Sequence, residues 1–70
     1  MIRHCVSSSD IVSIGFDSES QILEIEFKSG GVYQYYRVSE NTYRALIGAS
    51  SIGRYFHQYI QGRYDDTKVI

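Results

Sequence analysis

The stretch Gln21–Tyr36, QILEIEFKSGGVYQYY, restricts the fold more than any other part of the chain. Leu23, Ile25 and Phe27 alternate with Glu24 and Glu26, a period of two that marks a strand with one buried face. Ser29-Gly30-Gly31 supplies residues that tolerate positive φ, as a tight hairpin turn requires. Val32–Val38 is dense in β-branched and aromatic residues and reads as the next strand. Register decides where the tyrosines go. A three-residue loop over Ser29–Gly31 sets Phe27 opposite Tyr33 and Ile25 opposite Tyr35, all on the core face. A two-residue loop over Ser29-Gly30 slips the pairing by one and puts Tyr33 and Tyr35 beside Glu26 and Glu24. The first is preferred, because it gathers five large apolar side chains on one side.

Around this hairpin the remaining elements fall in order. Ile2, Cys5 and Val6 leave room for an extra short strand along the sheet. Ser7-Ser8-Ser9-Asp10 is a turn or cap cluster, whose side chains compete for backbone N–H groups. Ile11–Asp17 reads as the first main strand, with Val12, Ile14 and Phe16 on one face. Asp17–Ser20 turns the chain into the hairpin, so three strands form an antiparallel meander. The period then changes to that of a helix. Ser39 is placed to cap one, with Glu40 in its first turn and Tyr43, Leu46 and Ile47 as its apolar stripe. Ser50 or Ser51 caps a second, whose apolar set is Ile52, Tyr55, Phe56, Tyr59 and Ile60, closed by Gly62. The expected fold is α+β: a three-stranded antiparallel β-meander followed by two α-helices packed on one face. It is one domain over residues 1–70, with 1–6 and 65–70 as its flexible ends.

Composition narrows the function. Seventy residues with 43% hydrophobic content support one core, and a chain this short buries only about 60% of its unfolded surface. A lone Cys5 forms no internal disulfide, which suits a reducing compartment. No apolar run nears the roughly 20 residues of a membrane span, and MIRHCVSSSD lacks the apolar core of a signal peptide. The expected location is the cytoplasm. A net charge of −1 argues against a strong non-specific nucleic-acid binder. The charge is uneven, however. Residues 37–64 hold Arg37, Arg44, Arg54 and Arg63 against Glu40 alone, while residues 1–36 are acidic. Arginine is the residue best suited to bidentate phosphate contact and to stacking.

The run of Tyr33-x-Tyr35, a capped helix, then Ala49-x-Ser51-x-Gly53-x-x-Phe56 and Ile60, in step with Phe27, Gly30 and Val38, resembles the KTSC domain family. That family is named for a domain at the C-terminus of some lysyl-tRNA synthetases and also occurs as free-standing small bacterial proteins. The resemblance runs from about Ser7 to Tyr64. It departs at Ser39, which follows Val38 where members often carry Pro, and at His57, where they often carry Asn. It implies a domain of unknown function, with RNA binding suggested by the synthetase association.

Each candidate site residue has a structural alternative. Tyr33 and Tyr35 either stack on unpaired bases or pack beneath the helices with hydroxyls at the rim; the preferred register favours packing. Tyr36 then points to the opposite face beside Glu24, Gln34 and Arg37, a better position for stacking. Ser51, Gly53 and Arg54 either hold a phosphate at a helix N-terminus or serve as cap and close-packing point. Arg54, His57, Gln58 and Gln61 share the exposed face of the second helix, with Arg44 and Arg63 as further phosphate contacts. No catalytic or metal-ligand spacing is present: His4 and Cys5 are neighbours that point apart, His57 is distant, and Asp65-Asp66 lies in the tail. The expected function is a small non-catalytic binding module for RNA, without cofactor, metal or membrane partner. The alternative is a protein–protein interaction module or homodimer. The RNA reading fails if Arg44, Arg54 and Arg63 lie on separate faces with no exposed aromatic beside any of them.

Overall fold

A computed structural model describes residues 1–70. The chain runs β1 (His4–Cys5), β2 (Ile11–Asp17), β3 (Ile22–Phe27), β4 (Val32–Tyr35), α1 (Glu40–Ile47), α2 (Ile52–Tyr59) and β5 (Asp66–Lys68). The sheet has five strands rather than three, in the order β1-β2-β3-β4-β5, with every neighbouring pair antiparallel. The two additional strands come from the terminal segments expected to be flexible. His4 pairs with Ile14 at one edge, and the Val6 amide donates to the Val12 carbonyl. At the other edge Asp66 lies opposite Tyr35, the Tyr36 amide donates to Asp65 and the Val69 amide to Val32. Both strands are held through backbone groups while their side chains stay in solvent, so neither carries an apolar pattern.

The central hairpin keeps the expected parity in a different register. Its three-residue loop covers Lys28–Gly30: the Phe27 amide donates to the Gly31 carbonyl, and Leu23 and Ile25 lie opposite Tyr35 and Tyr33. Sliding the loop by one residue shifts each pairing by two, and a shift of two leaves every side chain on its face. Gly30 and Gly31 take φ of 101° and 94°, conformations that a side chain would strain. In β2 a bulge between Ile11 and Ser13 breaks the simple alternation. Fully buried Ile11 takes the core place expected for Val12, which is only half-buried.

Both helices start at the expected serines. The Ser39 hydroxyl accepts from the Thr42 amide and that of Ser51 from the Arg54 amide. They cover the sheet face bearing Leu23, Ile25 and Tyr35, which joins Leu46, Phe56 and Ile60 in the core. Tyr43 stacks on Phe16 with rings 4.8 Å apart. Two residues placed in the core by periodicity are instead exposed, Ile47 at 43% and Tyr59 at 46%. Each is the last residue of its helix. Gly62 has the expected left-handed φ, but regular helix stops at Tyr59.

The sheet's other face is polar. Arg3 crosses it to reach Glu24 at 2.7 Å and Glu26 at 3.8 Å. Ser13 donates to Glu26, Gln34 donates to Glu24, and the Tyr36 hydroxyl lies 3.5 Å from the Gln34 carbonyl oxygen. Gly15 permits the crossing, because a Cβ there would stand 2.6 Å from the Ile2 carbonyl oxygen and 3.0 Å from Arg3 Cγ. Gly15→Ala should therefore peel β1 from the sheet, at a cost of about 1–3 kcal/mol. In amide hydrogen exchange, Val6 should lose protection while Phe27 retains it. Unchanged protection at Val6 would contradict the close approach.

Candidate functional site

Helix α2 organises the site. At 100° per residue its buried stripe of Phe56, Ile60 and Gly53 leaves two flanks and a crest. His57 and Gln61 form the flank toward the hairpin turn, Tyr55 and Tyr59 the opposite one, and Arg54 and Gln58 the crest.

On the His57 flank lies a cleft of about 310 Å³. Its floor is aromatic. Phe56 meets Phe27 and Tyr35 edge-on, with rings 5.3 and 5.4 Å apart, and Phe27 meets Tyr33 at 5.6 Å. Ser29, Gly30, His57, Gln61 and Asp66 form the rim. A second hollow, reaching Ser9, Asp10 and Lys28, adjoins it through Phe27, Ser29 and His57. Tyr35 is only 4% exposed as a residue, but its hydroxyl, which bonds no protein group, is accessible at the cleft. Burial, then the Asp66 charge and Tyr33, push this hydroxyl's pKa up to about 12, so it stays a neutral donor at any physiological pH.

His57 ties the rim together. Nδ1 faces the Gln61 carbonyl oxygen at 2.6 Å and Nε2 faces an Asp10 carboxylate oxygen at 3.3 Å. Only the imidazolium donates to both, so the Gln61 contact first, and the Asp10 contact and charge with it, raise the pKa above 6.5 against weak desolvation.

On the opposite flank a shallow groove of about 160 Å³ runs past Ser50, Ser51, Arg54, Tyr55, Gln58 and Tyr59. Tyr55 and Tyr59 have ring centroids 4.7 Å apart. Arg54 forms no ion pair, and Arg63 donates from Nε to the Gln58 carbonyl at the helix end.

The residues singled out from sequence therefore divide. Tyr33, Tyr35 and His57 line the cleft; Ser51 and Arg54 line the groove; Arg63 sits beside Gln58. Tyr36 is on the far face of the sheet, and Arg44 is engaged by Glu40 on α1. Gly53 faces inward, where a Cβ would touch Asp10 and Ser8 at 3.4 Å, so it serves the packing of α2 onto the start of β2. Three contributors escaped notice as site residues: Tyr59, assigned to the core, Asp66, assigned to a mobile tail, and Phe27, read only as a core residue. The alternation of Asp66-x-Lys68 with Tyr33-x-Tyr35 is too short a signal to reveal the edge strand that sets Asp66 beside Tyr35.

Titration of His57 gives a test of the rim. Its folded pKa is raised, so its stabilisation is complete below the unfolded value of 6.5 and is lost as pH rises through the folded pKa. The pair is half-exposed and solvent-screened, so the effect should be about 0.3–0.5 kcal/mol. Urea denaturation from pH 5.5 to 8.5 should show this loss in the wild type and not in His57→Gln. Parallel profiles would mean the contacts do not persist in solution.

Comparison with known proteins agrees with this architecture. The family model for the KTSC domain matches residues 7–64. An uncharacterized protein of Stutzerimonas stutzeri is 42% identical over 64 residues, covering 91% of this chain and 90% of its own. A lysine–tRNA ligase of Trichormus variabilis is 41% identical over 49 residues, which are 70% of this chain and 9% of that enzyme. The chain thus spans about a tenth of the length of the ligases it matches. A crystal structure of a KTSC domain protein from Yersinia pestis superimposes with a TM-score of 0.96 at 40% identity, over 99% of this chain and 97% of that one. By sequence and by fold, the chain belongs to the KTSC domain family.

Proposed function

We propose that this domain is a non-catalytic module that binds single-stranded RNA across the outer side of α2. One observation carries the reading: Arg54, unpaired by any carboxylate, shares a groove with the exposed ring of Tyr59. A guanidinium beside a free aromatic face is the minimal apparatus for one phosphate and one stacked base. Arg63, past the end of the helix and bonded to the Gln58 carbonyl, adds a second positive contact. The occurrence of similar sequences within lysine–tRNA ligases supports an RNA partner. The cytosol is the setting we assign, in keeping with the free, exposed thiol of Cys5. Pairing of two copies through their sheet edges is less favoured, because β1 and β5 offer only two and three residues.

Two arginine–phosphate contacts to a single strand give a log–log salt slope of about −1.4. Fluorescence anisotropy with labelled oligouridine should show that slope, and Arg54→Ala should reduce its magnitude by about 0.7. Tyr59→Ala should weaken binding by about 1–3 kcal/mol, the worth of one stacked base. Arg44→Ala should change little, its charge being already engaged by Glu40. Salt-independent binding, or full affinity in both Arg54→Ala and Tyr59→Ala, would refute the assignment.

A further inference from the structure

We infer that the aromatic cleft on the His57 flank of α2 is a guanine-selective base pocket, an inference that rests on the RNA-binding reading above. Three features lead to a planar ligand with a defined edge. The cleft is walled by Phe27, Tyr33 and Phe56, and its volume of about 310 Å³ lies at the small end of the range for ligand sites. The Tyr35 ring is nearly buried, but its hydroxyl is solvent-accessible at the cleft and bonds no protein group, so a ligand acceptor can meet it there. Asp66, opposite Tyr35 in the ladder, presents a carboxylate that forms no ion pair.

A carboxylate accepts only, and at neutral pH this tyrosine's hydroxyl remains protonated and free to donate. The complementary edge carries two adjacent donors beside one acceptor. Guanine presents that pattern: N1–H and the N2 amino group for Asp66, O6 for Tyr35. Adenine and cytosine each put a ring-nitrogen acceptor where the carboxylate needs a donor, and uracil flanks its single N–H with two carbonyls. Gln61 and His57 stand at the rim, within the same cleft, where the sugar and the 5′ or 3′ phosphate would leave toward the Arg54 crest.

The test uses the whole chain and short oligouridines carrying one central guanosine, inosine, adenosine or cytidine, read by anisotropy. Guanosine should bind at least about tenfold tighter than adenosine or cytidine, the usual worth of a bidentate base contact. Inosine, which lacks the 2-amino group, should fall between them. Asp66→Asn, a change at an exposed position, should erase the preference for guanosine over adenosine and cytidine. Tyr35→Phe, which keeps the ring, should lower guanosine affinity by several fold. Equal affinity for all four strands would overturn the guanine pocket and leave the RNA reading standing. No binding of any strand would overturn both. A guanosine preference that survives in Asp66→Asn would refute the role given to that carboxylate.

Discussion

The ring of Phe56 joins the two layers of this domain. It meets both strands of the central hairpin, edge-on to Phe27 of β3 and to Tyr35 of β4. Each such aromatic pair contributes about 0.5–1.5 kcal/mol beyond the burial of area, and truncating a buried Phe costs about 3–5 kcal/mol. Against the 5–15 kcal/mol typical of whole domains, that is a large share for a chain of 70 residues. The same contact builds the cleft. Phe56 holds α2 at the height where His57 and Gln61 overlook the hairpin turn, and its ring completes the floor begun by Phe27, Tyr33 and Tyr35. Stability and candidate function thus depend on one side chain.

Much of this was legible in the sequence, and the rest was hidden for identifiable reasons. Strong alternation in Leu23–Phe27 placed β3, and the serines before Glu40 and Ile52 placed both helix starts, because alternation and capping are local properties. The face of Tyr33 and Tyr35 was also correct although the loop was one residue off, since the pleat repeats every two residues. β5 was not legible. Its three residues are polar and exposed and gain their place from backbone hydrogen bonds to β4, across two intervening helices. Val12 and Tyr59 misled for a different reason. A bulge and a helix end each interrupt a periodicity that sequence reading extends without interruption.

The candidate site suffered from the same blind spot. Arg54 and His57 were recognisable by chemistry and helical spacing, yet spacing alone cannot show that His57 lines a cleft while Arg54 lines the groove on the Tyr59 side. Asp66 had no meaning until β5 set it beside Tyr35. Arg44, equivalent to Arg54 by composition, differs because Glu40 lies one turn away and engages it. Two tyrosines of the central motif face the helices, so the motif forms a cleft wall with one hydroxyl at its opening, not an open stacking platform.

Under the proposed function, α2 is a two-sided reader of a single strand, with Arg54 on its crest between an open tyrosine and an aromatic cleft. Nitrogen-15 NMR of the labelled protein, titrated with short single-stranded RNA at low salt, tests it directly. The account predicts shifts gathered on Arg54, His57, Tyr59 and Tyr35, reversed by added salt, with Arg44 and the Arg3–Glu24 face unmoved. No shifts, or shifts centred on the outer sheet face or on α1, would contradict it.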